Sequence, residues 1–259
     1  MKNNKVYIIL IAILLMFAVC MYLFIGRDSI EKRKQKITII TQDSTIFKLS
    51  KGNWSSVKEE AELKSYDWKS FSVYLDNEYK GEYYLYNDNK WLLFDLNKKA
   101  VTSTENLLAF EANFDLKVKT FNTLDNNNIY YVSQVLNKYG FSNNEPLTVN
   151  TVTNIDIDND GIDEDIYVIS NAFSMDYEPE ITFSYVFMIK DNQIYMIYEY
   201  SDQNNLDNGL KPYIHSILDA DNDGEYEILL TCARYSTQEP INILYKFEDK
   251  TFKTLISNQ

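Results

Sequence analysis

The sequence predicts a mainly β protein that is attached to a membrane by one N-terminal helix. Three observations support this fold class. An uncharged apolar run of 20 residues lies near the start of the chain. Short segments rich in tyrosine, phenylalanine and isoleucine, separated by turn residues, follow it. An acidic loop then occurs twice, each time between two apolar segments. The predicted order is a transmembrane helix, a β meander with one helix, and two four-stranded repeats that contain calcium loops.

The apolar run at 6–25 is long enough to cross a bilayer as one helix. A cleaved signal peptide is the alternative, because residues 1–5 form a short basic tail. However, the run is too long for the apolar core of a signal peptide, and no small-x-small cleavage site precedes Gly26. We therefore expect an uncleaved anchor, followed by a charged juxtamembrane stalk at 26–36.

Residues 37–125 are predicted to form an N-terminal β region. Three apolar segments in it have the composition of strands, and turn residues such as Asp76-Asn77 separate them. They are predicted to pair as a three-stranded meander. Residues 100–124 fit either further strands or a short helix at 107–111. The three segments of the meander are 69–75, 82–86 and 91–96.

A helix is predicted at about 128–139, within a helix and connector region at 126–146. Asn127 or Asn128 can cap its start, and Gly140 stands where a left-handed residue ends many helices. Between them the apolar residues recur at helical spacing. These residues are Ile129, Val132, Val135, Leu136 and Tyr139.

Residues 147–259 predict two repeats with the same plan. In each repeat a strand enters an acidic loop, a second strand leaves it, and a hairpin follows after a loop that contains Glu-Pro. Four strands are the content of a propeller blade, so the repeats are predicted to be propeller-blade-like. The first repeat has predicted strands at 147–155, 165–170, 181–189 and 194–200, and the second at 212–218, 228–232, 241–247 and 252–256.

Both acidic loops read D-x-D-N-D-G-x-x-E and begin 63 residues apart. Carboxylates at the first, third and fifth positions can converge on one cation, and the glycine at the sixth lets the backbone reverse. The seventh residue would offer its carbonyl and the ninth its carboxylate. We expect two structural Ca²⁺ sites, although acidic turns without an ion are the alternative. The predicted ligands are Asp156, Asp158, Asp160, Ile162 and Glu164 in the first loop, and Asp219, Asp221, Asp223, Glu225 and Glu227 in the second.

The loops are not EF-hands. An EF-hand needs a glutamate at the twelfth position and flanking helices, but Tyr167 and Leu230 stand there, inside predicted strands. The loops resemble those of FG-GAP and VCBS-type repeats, the β-blade modules of integrin-α-like and bacterial surface proteins. This resemblance covers about 147–256 and implies calcium-stabilised blades. The Phe-Gly and Gly-Ala-Pro elements of the first family are absent, and asparagine replaces the frequent glycine at the fourth loop position.

Charge is divided sharply along the chain. Residues 1–36 hold seven of the 25 basic residues and two of the 38 acidic residues, so residues 37–259 hold 18 and 36, a net charge of −18. A domain this acidic repels nucleic acid, and we expect no nucleic-acid partner. The predicted partners are the membrane, through 6–25, and a protein or carbohydrate ligand.

Two arguments give opposite membrane orientations. Basic residues after the span outnumber Lys2 and Lys5 before it, so the positive-inside rule alone places the domain in the cytoplasm. Acidic calcium loops instead suit a compartment where free calcium is high. A short tail before a single span is also typical of a signal-anchor. We therefore expect the C-terminal domain to be extracytoplasmic. The basic residues after the span are Arg27, Lys32, Arg33, Lys34 and Lys36.

The sequence carries no pattern typical of a catalytic site. His215 is the only histidine, and its alternation with Tyr213 and Ile217 in a predicted strand favours a packed structural role. Cys20 and Cys232 are the only cysteines, so zinc and a disulfide scaffold are not expected. We expect a binding or structural module and not an enzyme. The alternative is a cell-envelope hydrolase or sensor with its site in the N-terminal β region.

Overall fold

The computed structural model describes Met16 and residues 36–259, except 44, 89–90, 102–105, 112–115, 126–128, 142–146, 172–180, 203–208 and 235–239. The predicted anchor at 6–25 therefore lies, apart from Met16, outside the described residues, as does the stalk before residue 36. None of the described helices combines the length and the apolar character needed to span a bilayer. The described residues form strands in three antiparallel sheets, with no closed barrel or propeller, and two short helices.

The N-terminal β region forms an eight-stranded sheet in the order β3-β2-β1-β8-β4-β5-β6-β7. The predicted meander is confirmed as β4, β5 and β6, and a short helix, α1 (Glu60–Lys64), precedes it. The strands are β1 (Lys36–Thr41), β2 (Ile46–Ser50), β3 (Asn53–Val57), β4 (Ser70–Leu75), β5 (Glu78–Asn87), β6 (Trp91–Phe94), β7 (Ala100–Val101) and β8 (Leu107–Glu111).

The helix considered at 107–111 is wrong, because these residues form strand β8. This strand lies in the middle of the sheet, between β1 and β4, and its first four residues are all buried. A strand that is covered on both faces has a continuous apolar run and lacks the alternation that distinguishes a strand from a helix.

Two five-stranded sheets contain the rest of the chain. Each has a four-stranded antiparallel meander at the predicted strand positions and one further edge strand from the segment before the helix. The first sheet contains β10 (Thr123–Asp125), β11 (Thr148–Ile155), β12 (Glu164–Ser170), β13 (Thr182–Lys190) and β14 (Gln193–Asp202), in that order. The second contains β18 (Thr251–Ser257), β17 (Ile241–Glu248), β16 (Glu227–Arg234), β15 (Leu210–Asp219) and β9 (Lys117–Lys119), in that order.

The predicted helix at 128–139 is confirmed as α2 (Ile129–Lys138). Its apolar side buries Val132, Val135 and Leu136 against aromatic residues of the first five-stranded sheet. Gly140 has φ = +82°, the left-handed conformation expected after a helix end. The helix therefore covers the outer face of that sheet.

The three sheets and α2 form four layers. Tyr167 of the first five-stranded sheet packs with α2, and its neighbour Ile166 packs with the second five-stranded sheet. The residues 63 positions later repeat this arrangement, because Leu230 faces the first sheet and Leu229 faces the eight-stranded sheet. The equivalent faces of the two five-stranded sheets therefore point in the same direction. Helix α2 covers one end of this two-sheet stack, and the eight-stranded sheet covers the other.

Asn242 on β17 joins the second five-stranded sheet to the eight-stranded sheet. Its buried amide donates to Asp43 Oδ2 at 2.7 Å and Thr45 Oγ1 at 3.0 Å, and accepts from Thr231 Oγ1 at 2.6 Å. We expect Asn242→Ala to destabilise the protein by about 1–3 kcal/mol, because buried partners lose their hydrogen bonds. Urea denaturation would measure this. A loss no larger than that of Asn137→Ala, on the exposed side of α2, would contradict it.

Candidate metal centres

The two acidic loops have the same internal hydrogen bonds. In the first loop, Asp156 accepts the N–H groups of Asp160 and Gly161, both at 3.1 Å. In the second loop, Asp219 accepts those of Asp223 and Gly224, at 3.0 and 3.2 Å. The first carboxylate of each loop therefore holds the turn that follows it, as aspartate does in many tight turns.

The fifth and ninth positions also match. Asp160 Oδ1 accepts the N–H of Ile162 at 2.9 Å, and Asp223 Oδ1 accepts that of Glu225 at 3.0 Å. The ninth carboxylates reach back across the loops, where Glu164 Oε2 accepts the N–H of Ile157 at 2.8 Å. At the equivalent place Glu227 Oε2 accepts the N–H of Ala220 at 2.6 Å.

The residues at the fourth and sixth positions have left-handed backbones. Asn159 and Asn222 both have φ = +57°, and Gly161 and Gly224 have φ = +87° and +95°. Asparagine tolerates this region better than most residues with a side chain. This explains why asparagine can stand at the fourth position of each loop.

Three carboxylates of each loop converge. In the first loop they belong to Asp156, Asp158 and Glu164, each of which offers one oxygen within 4.8 Å of the others. The equivalent residues of the second loop, Asp219, Asp221 and Glu227, do the same. Calcium binds oxygen at about 2.3–2.6 Å, so oxygens within about 5 Å of one another can share one ion. Each set of three carboxylates could therefore hold a metal ion.

A lysine ammonium lies among the carboxylates of each loop. Lys190 Nζ contacts Glu164 Oε1 at 2.8 Å, as well as Asp158 at 3.0 Å and Asp160 at 2.6 Å. Lys246 Nζ lies 2.9 Å from Glu227 Oε1 and contacts three further acids of its loop. These are Asp221 at 3.2 Å, Asp223 at 2.6 Å and Glu225 at 3.7 Å.

The two lysines are at equivalent places. Ile189 pairs with Asp165, and Tyr245 pairs with Ile228, the residue 63 positions after Asp165. Lys190 and Lys246 follow these two partners directly and lie near the end of the third strand of each meander. A lysine ammonium at this position is therefore a feature of both five-stranded sheets.

Burial and the neighbouring opposite charges shift the pKa values of the lysine and the ninth glutamate of each loop in opposite directions. Burial alone would lower the pKa of Lys246, but Glu227, Asp223 and Asp221 outweigh it and raise the pKa above the ordinary value. Burial raises the pKa of Glu227 to about 8, against the opposing effect of Lys246. Burial likewise raises the pKa of Glu164, which Lys190 opposes. The ninth glutamates are thus the most desolvated of the loop acids, with fully buried side chains.

The remaining predicted ligands have other roles in the described structure. Asp160 and Asp223 contact the lysines and brace the backbone, and they are not among the convergent sets of three. Ile162 is 55% exposed and donates its N–H within the loop. The side chain of Glu225 reaches toward Lys246. Their predicted roles as ligands stay predictions.

The sequence reasoning did not identify the two lysines. The sequence did indicate that Lys246 is unusual, because it stands between Tyr245 and Phe247 in an otherwise apolar predicted strand. In the structure its side chain is only 4% exposed. A buried lysine requires compensating charge.

The two loops also contact each other. The N–H of Tyr226 donates to the carbonyl of Ile157 at 2.8 Å, and a side chain at Gly224 would meet the amide of Asn159. Lys190 and Lys246 line one open cleft of about 580 Å³ between the two sheets. The two candidate centres therefore form one connected region of the surface.

Compared with known proteins, the chain matches no protein family, no curated protein and no solved structure. The geometry of the two loops is therefore the main indication of function.

Proposed function

We propose that this protein is a membrane-anchored, extracytoplasmic Ca²⁺-binding β module with a binding or structural role. The resemblance of its loops to those of FG-GAP and VCBS-type blades is part of this proposal, and it implies calcium-stabilised blades. The observation that carries it is the duplicated loop geometry, in which matched hydrogen bonds hold three carboxylate oxygens of each loop close together. Oxygen ligands on a flexible loop are what Ca²⁺ prefers.

The lysines set the expected strength of binding. A Ca²⁺ ion at either loop must displace an ammonium from the same carboxylate oxygens, so part of the binding free energy is used to break those ion pairs. We therefore expect weak sites, in the range of about 10⁻⁴–10⁻³ M that is typical of extracellular modules. Such affinity fits a compartment with high free calcium, which supports the extracytoplasmic location.

Calcium is proposed to act structurally. The loops connect β11 to β12 and β15 to β16, so an ion there would stabilise two strand crossings and the contact between the loops. When Ca²⁺ replaces a lysine at the carboxylates, the side-chain ammonium of that lysine would turn into the cleft. No step of chemistry is assigned to the ion.

The test is a calcium titration of the full chain followed by its melting temperature. Ca²⁺ at ten times its dissociation constant should add about 1.4 kcal/mol for each site. Two sites would then raise the melting temperature by about 6–12 °C, and EDTA should reverse the rise. Mg²⁺ should have a smaller effect, because it requires a stricter octahedral geometry.

The matched control uses acids of the same loops. Asp156→Ala with Asp219→Ala should abolish the response, because each removes one of the three convergent oxygens. Asp163→Ala removes an exposed carboxylate of the first loop that is not a predicted ligand, and should leave the response unchanged. An unchanged melting temperature in 10 mM Ca²⁺, or an equal response from the double variant, would contradict the proposal.

A further inference from the structure

A second cavity lies where all three sheets meet. Its volume is about 300 Å³, and it contains none of the predicted calcium ligands. The eight-stranded sheet contributes Asp76 from the β4–β5 turn and Asn106 from the residue before β8. The first five-stranded sheet contributes Asn150, and the second contributes Tyr213 and His215. Junctions between sheets and domains are common places for small ligands to bind.

The wall of the cavity is built from positioned polar groups. Asn106 Nδ2 donates to Asp76 Oδ1 at 2.5 Å, and both residues have left-handed backbones. Asn77 joins this wall to the second five-stranded sheet. Its amide donates to the carbonyl of His215 at 3.3 Å and accepts from Ser216 Oγ at 2.7 Å. The polar wall is therefore fixed before any ligand arrives.

His215 is the residue that breaks the strand register here. The pairing of β15 with β16 passes from Ile214 to Ser216, so His215 is the extra residue of a β-bulge. Bulges re-aim side chains and are frequent beside functional sites. The ring is 6% exposed and both of its nitrogens are buried, with the backbone of Leu107 beside them. The bulge therefore packs the imidazole into the wall of the cavity.

The lining has a consistent chemistry. Asn106 and Asn150 each carry both a donor and an acceptor. Burial lowers the pKa of His215 to about 4, so the ring is neutral at physiological pH. Phe121 and the partly exposed ring of Tyr213 add apolar surface. Groups that donate and accept, next to aromatic faces, match a neutral ligand with several hydroxyl groups.

Charged ligands fit less well. No lysine or arginine is among the described residues that line the cavity, and Asp76 would repel an anion. Asp76 is the one carboxylate among those lining residues, and it already accepts a hydrogen bond from Asn106. We propose that this three-sheet cavity binds a small neutral saccharide of one or two sugar units, held by Asn106 and Asn150 against Tyr213.

Saturation-transfer NMR on the full chain tests the proposal. The probes are methyl α-D-glucopyranoside, methyl α-D-galactopyranoside and N-acetyl-D-glucosamine, with glucuronate and choline as charged comparators. At least one neutral probe should bind at millimolar concentration, and both charged probes should bind more weakly. Asn150→Ala should weaken that binding about 3- to 10-fold, the loss expected for one hydrogen bond.

Asn137→Ala on the exposed side of α2 is the matched control and should bind like the unaltered protein. Asn150→Ala should fold, because Asn150 is only half-buried. The proposal is overturned if no neutral probe binds, if Asn150→Ala binds as well as the control, or if a charged comparator binds best. The calcium titration is independent of each of these results.

Discussion

Lys246→Met should destabilise the folded protein by about 3–5 kcal/mol at neutral pH without calcium. The ammonium of Lys246 contacts Asp221, Asp223 and Glu227 in the second loop, and its side chain is only 4% exposed. Removing one partner of a buried ion pair leaves the other charges without compensation, which costs about that much. Protonation of Glu227, whose pKa burial raises to about 8, should reduce the loss toward the lower end of this range.

Urea denaturation measures the loss, and Lys253→Met provides the control. Lys253 also pairs with two acids, Glu248 at 2.9 Å and Asp249 at 3.1 Å, but its side chain is 45% exposed. Its loss should destabilise the protein far less than that of Lys246, because solvent screens an exposed ion pair. Equal effects of the two variants would refute a buried ion-pair role for Lys246.

Calcium should recover much of the stability that Lys246→Met loses. The variant has no tethered cation to displace, so Ca²⁺ should bind its second loop more tightly than it binds the unaltered protein. We expect a lower midpoint in the calcium titration of the variant. A midpoint unchanged from that of the unaltered protein would show that the lysine and the ion do not compete for the same oxygens.

Acidification from pH 7 to pH 4 should destabilise the protein through His215 by up to about 3 kcal/mol. Burial lowers the pKa of this histidine from 6.5 to about 4 in the folded state, and Asp43 opposes the shift. Between these values the unfolded chain binds a proton that the folded protein does not. The contribution of His215 is therefore complete above pH 6.5 and is lost as the pH falls toward 4.

The measurement compares stability against pH for the protein and for His215→Gln, which cannot titrate in this range. The raised pKa values of the loop acids affect both proteins, so the difference between the two curves isolates His215. Asp43 acts on His215 and Asp76 lines the same cavity, and both acids are present in each protein. Parallel curves from pH 7 to pH 4 would contradict the prediction.

Local patterns in the sequence were sufficient for most of the elements. The meanders alternate or carry clear turn residues, and α2 has helical spacing followed by Gly140, so the elements lie within a few residues of their predicted positions. Strand β8 was ambiguous because it is buried on both faces. The pairing of β9 and β10 with strands that follow them by many residues could not be predicted, because a three-residue strand has almost no pattern of its own.

The candidate metal centres were predictable only within each loop. The acids and glycines are close in sequence, so their spacing indicates their convergence. The lysines are 26 and 19 residues beyond the last acid of each loop. Only the strand register brings Lys190 to Glu164 and Lys246 to Glu227, and that register is set by tertiary pairing.

Strands β9 and β10 have a consequence for dividing this protein into parts. They lie before α2 in the chain, yet they are the outermost strands that pair with β15 and β11. A fragment that begins at residue 147 would contain both acidic loops but would expose the backbone edges of two long strands, β11 and β15. Unpaired backbone edges, whatever the side chains of β11 and β15, are templates for pairing with other chains, so this fragment should aggregate. The smallest autonomous unit therefore begins no later than residue 117, well before the first residue of either loop.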